Sequence, residues 1–437
     1  MKLGVAALVL LVACAPSTQG GRGVTPVRNP REQLRYSIDS LASNPIFRNS
    51  NMGILIVNPQ SGDTLFSHNA KRLFIPASNE KIITGTVALA LLGPDYRYQT
   101  RFALRGTMRD SVLDGDLVVI GRGDPTVSDR AQGSAMTWMS RIADSLSARG
   151  VKSITGSLIR GGNAFPDSIY GYGWEIDDVL TESGAPVDEL LYDEGMTKIT
   201  TRINGRDTTV DIATTAPART YLEALASALS MRGIRVNRGI SDSVLVLQTP
   251  EPAALFTVTS PPLRDILKLL EKPSQNQIAE VLLRTIGLEK TGVGSSDSGA
   301  AVVRRQLLAW GAERDGFRYY DGSGMSRHDL VSPETLVRIL TVIQRDTAFL
   351  AFYDALPIAG VDGTLRTRMV GTKAAGNMRA KTGTLQFVRS LSGYVTDADG
   401  DRLVFSLLHN HFTVPVDSVS KFQNEVGALL ANYRSRR

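Results

Sequence analysis

Hydrophobic and polar positions divide the chain into stretches of different texture. An unbroken apolar run opens it, "MKLGVAALVLLVAC", followed by the polar, glycine- and proline-bearing "APSTQGGRGVTPVRNP". Leu34, Ile38 and Leu41 then recur at helical spacing, which predicts an amphipathic helix from about Pro30. "MGILIVNPQSGDTLFSHNA" reads as two strands around turn residues Asn58 to Asp63. "FIPASNEKIITGTVALALL", Phe74 to Leu92, predicts a helix opening at or near Ser78. From Tyr96 to Ser260 short alternating strands dominate, as in "RYQTRFALRG" and "TKITTRINGRDTTVDIAT". Helical stretches interrupt them near Trp138 to Ala148 and Tyr221 to Arg232. From Pro261 the pattern turns helical, with "PPLRDILKLLEKPSQNQIAEVLLRTIG" broken at Pro273. "QFVRSLSGYVTDADGDRLVFSLLHN" returns to two strands, and a last helix runs from about Val416 to Tyr433.

Helical chain flanks the strand-rich stretch on both sides, so that stretch reads as an insertion rather than a tail. The expected fold is α/β, of the α+β kind: an antiparallel sheet flanked by helices, formed by residues 31–95 and 261–437. Residues 96–260 form the inserted, strand-rich part. A chain of 437 residues exceeds one ordinary core, which agrees with more than one unit.

Charge changes this picture little. The net charge of +6 is mild for the length and the basic residues are scattered, so no nucleic-acid footprint is present. The only cysteine is Cys14, which excludes an internal disulfide and a cysteine-based metal site. The apolar run before it, after Lys2, is too short to span a bilayer and has the shape of an export signal, residues 1–13. Leu11-Val12-Ala13-Cys14 resembles the lipobox of bacterial lipoproteins, in which the cysteine becomes the lipidated first residue. The alternative is an ordinary signal peptide with Cys14 discarded. Residue Ala15 fits sorting to the outer membrane, and residues 14–30 read as a tether. The protein is expected to be exported and periplasmic, held to a membrane through a lipid anchor only.

The candidate chemistry starts at Ser78. A hydroxyl is a weak nucleophile until a base takes its proton. Lys81 lies three residues on, on the same face of a helix, and can serve if burial or a neighbouring cation destabilises its ammonium. S-x-x-K alone is weak, since chance supplies about one or two matches in such a chain; Ser418 to Lys421 is one. Together with S-x-N and K-T-G it forms a signature of penicillin-recognising enzymes. Both further motifs occur twice. Ser67 precedes the nucleophile on a hairpin, and Lys290 sits in a glycine-rich loop after a helix. Ser274-Gln275-Asn276 follows Pro273, and Lys381-Thr382-Gly383-Thr384 runs into an apolar strand. Order and context select the second pair. No G-x-S-x-G elbow and no H-E-x-x-H pattern is present, which argues against a triad hydrolase and a metallopeptidase.

With these motifs, "KPSQNQIAEVLLRTIG", "YYDGSGMSRHDLVSP", "LPIAGVDGTLRTRM" and "AAGNMRAKTGTLQFVRSLSGYV" resemble the peptidase S13 family. These are D-alanyl-D-alanine carboxypeptidase/endopeptidases, the class C low-molecular-mass penicillin-binding proteins. "GRGDPT" and "GWEIDDVLTESGAPVDELLYDEG" resemble the family's inserted domains, and the likeness runs from about Pro30 to the C-terminus. The resemblance implies a β-lactamase/transpeptidase-like domain, peptidoglycan stem peptides as substrate, β-lactams as covalent inhibitors, and no cofactor or metal. It implies Ser78 as nucleophile, Lys81 as its base, Ser274 as proton relay and Asn276 as a holder of Lys81 and the substrate amide. Lys381 and Thr382 would bind the terminal carboxylate, while Gly383 leads to Thr384, whose N–H would join that of Ser78 against the oxyanion. Arg327, Gln386 and Asp178 resemble positions lining the pocket for the diamino-acid side chain. Two other readings stand beside this one: a serine β-lactamase, for which no class A acidic motif is found, and an idle wall-binding lipoprotein.

Overall fold

The computed structural model describes residues 29–203, 205–247 and 252–435. Cys14, the apolar leader and the tether up to residue 28 lie outside them.

Helix α1 (Pro30–Ala42) leads into strands β1 (Asn51–Asn58) and β2 (Asp63–His68), and then helix α2 (Glu80–Leu92). After the insert come α3 (Leu263–Glu271), α4 (Asn276–Thr291) and α5 (Pro333–Val342). Strands β3 (Arg379–Leu385), β4 (Val388–Thr396) and β5 (Arg402–Asn410) and helix α6 (Val416–Asn432) complete the unit. The five strands form one antiparallel sheet in the order β3-β4-β5-β1-β2.

Successive side chains of a strand point to opposite faces, and both faces of this sheet are covered. Ile54 and Ile56 of β1 join Leu34, Ile38, Phe405 and Val426 beneath α1 and α6. Leu55 points the other way, to Ile82, Ile83, Leu282 and Leu336 of α2, α4 and α5. Burial on two sides is why these strands read as continuous apolar runs rather than alternating ones. Helix α2 is enclosed on every side over residues 80–89. Lys81 therefore reaches no solvent.

The insert builds its own seven-stranded sheet. Its longest strands are Gln99–Arg109 and Val112–Ile120, with Leu158–Gly161, Ile240–Leu245 and Ala254–Thr259 beside them. Helices Ala135–Ala148 and Pro217–Met231 pack on it, close to the positions that periodicity predicts. Gln99 pairs with Thr259, so the chain enters and leaves the insert on neighbouring strands.

The entries to two helices place the candidate serines. Helix α2 begins at Glu80, and Ser78 lies in a preceding 3-10 turn, Ala77–Asn79. Ala77 has φ +48°, which tightens the entry to the helix. Helix α4 begins at Asn276 with Gln275 as its N-cap, the Gln275 side chain accepting the Ile278 N–H at 3.2 Å. Ser274, with φ +69°, stands just before the cap. A left-handed residue that is not glycine costs about 1–2 kcal/mol and is kept only where its surroundings demand it.

Candidate active site

Three distant segments meet at the buried ammonium of Lys81. Its Nζ donates to Ser78 Oγ at 2.9 Å, to Asn276 Oδ1 at 2.6 Å and to the Ser323 carbonyl at 2.7 Å. The Asn276 amide is turned by its other end, whose Nδ2 donates to the Ser183 carbonyl at 2.9 Å and faces Met325 Sδ at 3.1 Å. Ser183 belongs to the insert, so the insert helps aim the Asn276 oxygen at Lys81.

Burial pulls the Lys81 ammonium down from the usual lysine range to about 7, and the charge of Lys381 pushes the same way. Asp321, Glu271 and Glu280 oppose this. At neutral pH a sizeable fraction of Lys81 is thus a free amine within reach of a hydroxyl.

The second lysine mirrors the first. Lys381, also buried, donates to Ser274 Oγ at 2.7 Å and to the Thr382 carbonyl at 3.1 Å. The left-handed backbone of Ser274 presents its hydroxyl there. Burial lowers Lys381 to about 8, while Glu271 holds it up. The Glu271 carboxyl, pushed up to about 7 by burial, has no hydrogen-bond partner among the described residues and serves both lysines through its field.

Strand β3 is fastened to the nucleophile's turn. Asn79 Nδ2 donates to the Lys381 carbonyl at 2.9 Å, and Ser390 Oγ of β4 donates to the Pro76 carbonyl at 2.6 Å. A Cβ at Gly383 would lie 2.1 Å from Ser390 Oγ, 2.7 Å from the Pro76 oxygen and 2.9 Å from the Ser78 nitrogen. Only glycine admits this approach. Thr382 donates to Thr364 at 2.7 Å, and Arg389 binds the Thr384 hydroxyl.

The loop Asp321-Gly322-Ser323-Gly324 closes the other side. Glu280 Oε1 accepts the N–H groups of Gly322 and Ser323, both at 2.9 Å. Asp321 accepts from Gly324, Ser326 and the Trp174 indole at 2.6, 2.7 and 2.9 Å. A Cβ on Gly324, φ +78°, would meet the Ala77 oxygen at 1.9 Å. None of Ser323, Glu280, Glu271, Trp174 or Ser183 stands out in the sequence. The turn "DGSG" does, but what it offers Lys81 is a main-chain oxygen, which has no residue signature.

Arg327 and Gln386 also meet: the guanidinium donates to the Gln386 carbonyl at 3.2 Å. The carboxylate that pairs with Arg327 is Glu175, at 2.6 Å, three residues before Asp178. Asp178 feels that pair electrostatically, its carboxyl raised by burial and by Glu175 while Arg327 opposes. The duplicate motifs lie elsewhere. Lys290-Thr291-Gly292 is the end of α4, with Gly292 as a left-handed cap, and Lys421 is solvated on α6 beside Glu425. Ser67 lies exposed on β2.

Among the described residues no helix is long and apolar enough to cross a membrane, and no group of three or more His, Cys, Asp or Glu residues could hold a metal ion.

The model of the D-Ala-D-Ala carboxypeptidase 3 (S13) family matches residues 34–210 and 202–432. The chain is 29% identical to a D-alanyl-D-alanine carboxypeptidase of Actinomadura sp. (strain R39) over 92% of its own length and 85% of that protein's. It is 30% identical to a carboxypeptidase DacB of Mycolicibacterium smegmatis over 91% of its length and 85% of the relative's. Its fold matches the crystal structure of penicillin binding protein 4 from Haemophilus influenzae with a TM-score of 0.80 at 23% identity, covering 91% of this chain and 99% of that one.

Proposed function

This chain belongs to the D-Ala-D-Ala carboxypeptidase 3 (S13) family, and from that premise we propose which of its residues carry the reaction. It is a serine-type D-Ala-D-Ala carboxypeptidase acting on peptidoglycan stem peptides through an acyl-enzyme, and β-lactams are its covalent inhibitors.

Lys81, as the free amine, takes the proton of Ser78 while Oγ attacks the carbonyl of the penultimate D-alanine. The C–O bond forms, the carbonyl electrons move to oxygen, and the N–H groups of Ser78 and Thr384 receive the oxyanion. Each such donor contributes about 3–4 kcal/mol to the transition state. The tetrahedral intermediate collapses, the C–N bond breaks and Ser274 relays to the departing D-alanine amine the proton that Lys81 took, which frees Lys81 again. Lys381 and Thr382 hold its carboxylate, for which an ammonium beside a hydroxyl is suited. Asn276 keeps Lys81 aligned. Water then adds to the acyl-enzyme, Lys81 takes its proton, and Ser78 leaves with a proton returned to it. Arg327 and Gln386 border the pocket for the diamino-acid side chain, with Asp178 beyond the Glu175 pair.

The observation that carries this reading is Lys81 Nζ at 2.9 Å from Ser78 Oγ and 2.6 Å from Asn276 Oδ1, wholly buried. The test is the intact mass after incubation with labelled benzylpenicillin. One adduct, absent from Ser78→Ala, is expected; a labelled Ser78→Ala protein would overturn the assignment.

We read residues 31–95 and 261–437 as the catalytic unit and 96–260 as its insert. Export through the leader, cleavage before Cys14 and lipidation there, with an outer-membrane destination, complete the proposal.

A further inference from the structure

At the far edge of the catalytic sheet a groove of about 800 Å³ runs between the β1–β2 hairpin and helix α5. Its floor is apolar, from Leu55, Val57 and Val337. Four cations line it, Lys71, Arg72, Arg338 and Arg345, against the single acid Glu334. All four are exposed, and none has a carboxylate partner among the described residues. Leu73, next to Arg72, is an exposed apolar residue beside the same rim.

We propose that this groove seats the phosphate headgroup of an anionic membrane lipid and thereby fixes how the enzyme stands on the bilayer. The inference rests on the reading of Cys14 as a lipid anchor. Residues 14–28 span at most about 50 Å when extended, so the anchored body stays near the surface. The described chain begins beside the groove: Arg31 of α1 binds Asp63 and the Thr64 carbonyl, and Thr64 lines the groove. Strand β3, which carries Lys381, forms the opposite edge of the five-stranded sheet. With strands about 4.8 Å apart, the two edges are about 19 Å from each other, so a seated groove turns the active site toward the wall.

Charge and shape select this occupant. Lysine and arginine near an anionic leaflet each add attraction, and an apolar floor accepts the glycerol and upper acyl chain below the phosphate. A peptide added to the edge of β2 fits less well. Arg31 and Arg35 already occupy the outward carbonyls of Thr64 and Leu65.

The test uses the full chain bound to vesicles of phosphatidylcholine alone or with added phosphatidylglycerol, read by hydrogen–deuterium exchange. Slower exchange over residues 64–72 and 334–345 in the anionic vesicles only, reversed by salt, is expected. K71E/R338E/R345E should remove that protection and weaken salt-sensitive binding at least tenfold, with acylation of Ser78 by penicillin unchanged. Equal exchange in both vesicles overturns the proposal. The mass of the N-terminal peptide reports the anchor separately. If Cys14 is unlipidated, the anchor reading fails and the groove is judged by cosedimentation with the anionic vesicles: pelleting supports it, and a chain left in the supernatant overturns it.

Discussion

Glu280 holds the Ser323 N–H at 2.9 Å, and the carbonyl of the same serine accepts from Lys81 at 2.7 Å. A carboxylate that never touches Ser78 thus sets where the catalytic amine points. Glu280→Ala should leave the 321–324 loop free to move and lower the penicillin acylation rate about 10²-fold, the usual scale for a displacement of 1 Å. Glu280→Gln retains an acceptor and should recover most of the rate. Stopped-flow acylation across pH checks this, since a merely destabilised enzyme would lose active fraction without moving the profile.

Lys81 is lowered to about 7 and Lys381 to about 8. The base must be unprotonated, so kcat/KM for a stem peptide should rise with pH through about 7. The carboxylate binder must stay protonated, so the same parameter should fall above about 8. A flat profile from pH 6 to 9 would contradict both roles.

Glu271 raises the proton affinity of both lysines. Replacing it by glutamine removes that negative charge, so both lysines release their protons more readily. Both limbs of the pH profile should therefore move to lower pH. The wild-type profile, measured beside it at the same ionic strength, is the control.

A methyl group at Gly383 would press on Pro76, Ser78 and Ser390 together. Gly383→Ala should cost at least about 10²-fold in acylation by shifting the nucleophile's turn. Adding Ser390→Ala should not restore it, because the clashes with main-chain atoms of Pro76 and Ser78 persist.

Arg327 lies at the border of the site, tied to Glu175 and Gln386. Arg327→Ala should raise KM for stem peptides with a free diamino-acid terminus by about tenfold, the value of roughly one charge-assisted hydrogen bond. Benzylpenicillin, which carries no such terminus, should acylate at an unchanged rate.

What the sequence discloses of this site follows from how local each feature is. Ser78 and Lys81 are neighbours within one turn, and Lys381 lies in β3, which has little apolar pattern of its own but is followed at once by the apolar run of β4, so spacing and context single them out. Glu271 and Glu280 look like ordinary helix charges until the helices are packed, because only tertiary contact turns those faces inward. The Ser323 contribution is main chain and leaves no trace in residue type. Glu175 and Asp178 sit three apart in an irregular segment with no periodicity to choose between them. Helix α2 opens near Ser78 as its pattern predicts, but the left-handed Ala77 before that serine is an angle that composition does not announce. The arrangement of helices on both faces of an antiparallel sheet was legible because continuous apolar runs and helical periods are carried by many residues at once.

Because Gln99 and Thr259 are paired neighbours, the inserted segment behaves like an appliance on a single plug. It is nevertheless built into the parent core, since Phe165, Val187 and Leu191 pack among the catalytic helices and Asp167 pairs the buried Arg284, so exchanging the appendage would cost stability. Three of its residues also return to the chemistry: Trp174 at Asp321, Glu175 at Arg327 and Ser183 at Asn276. Selection on wall architecture can accordingly retune turnover from a segment that contributes none of the reacting atoms.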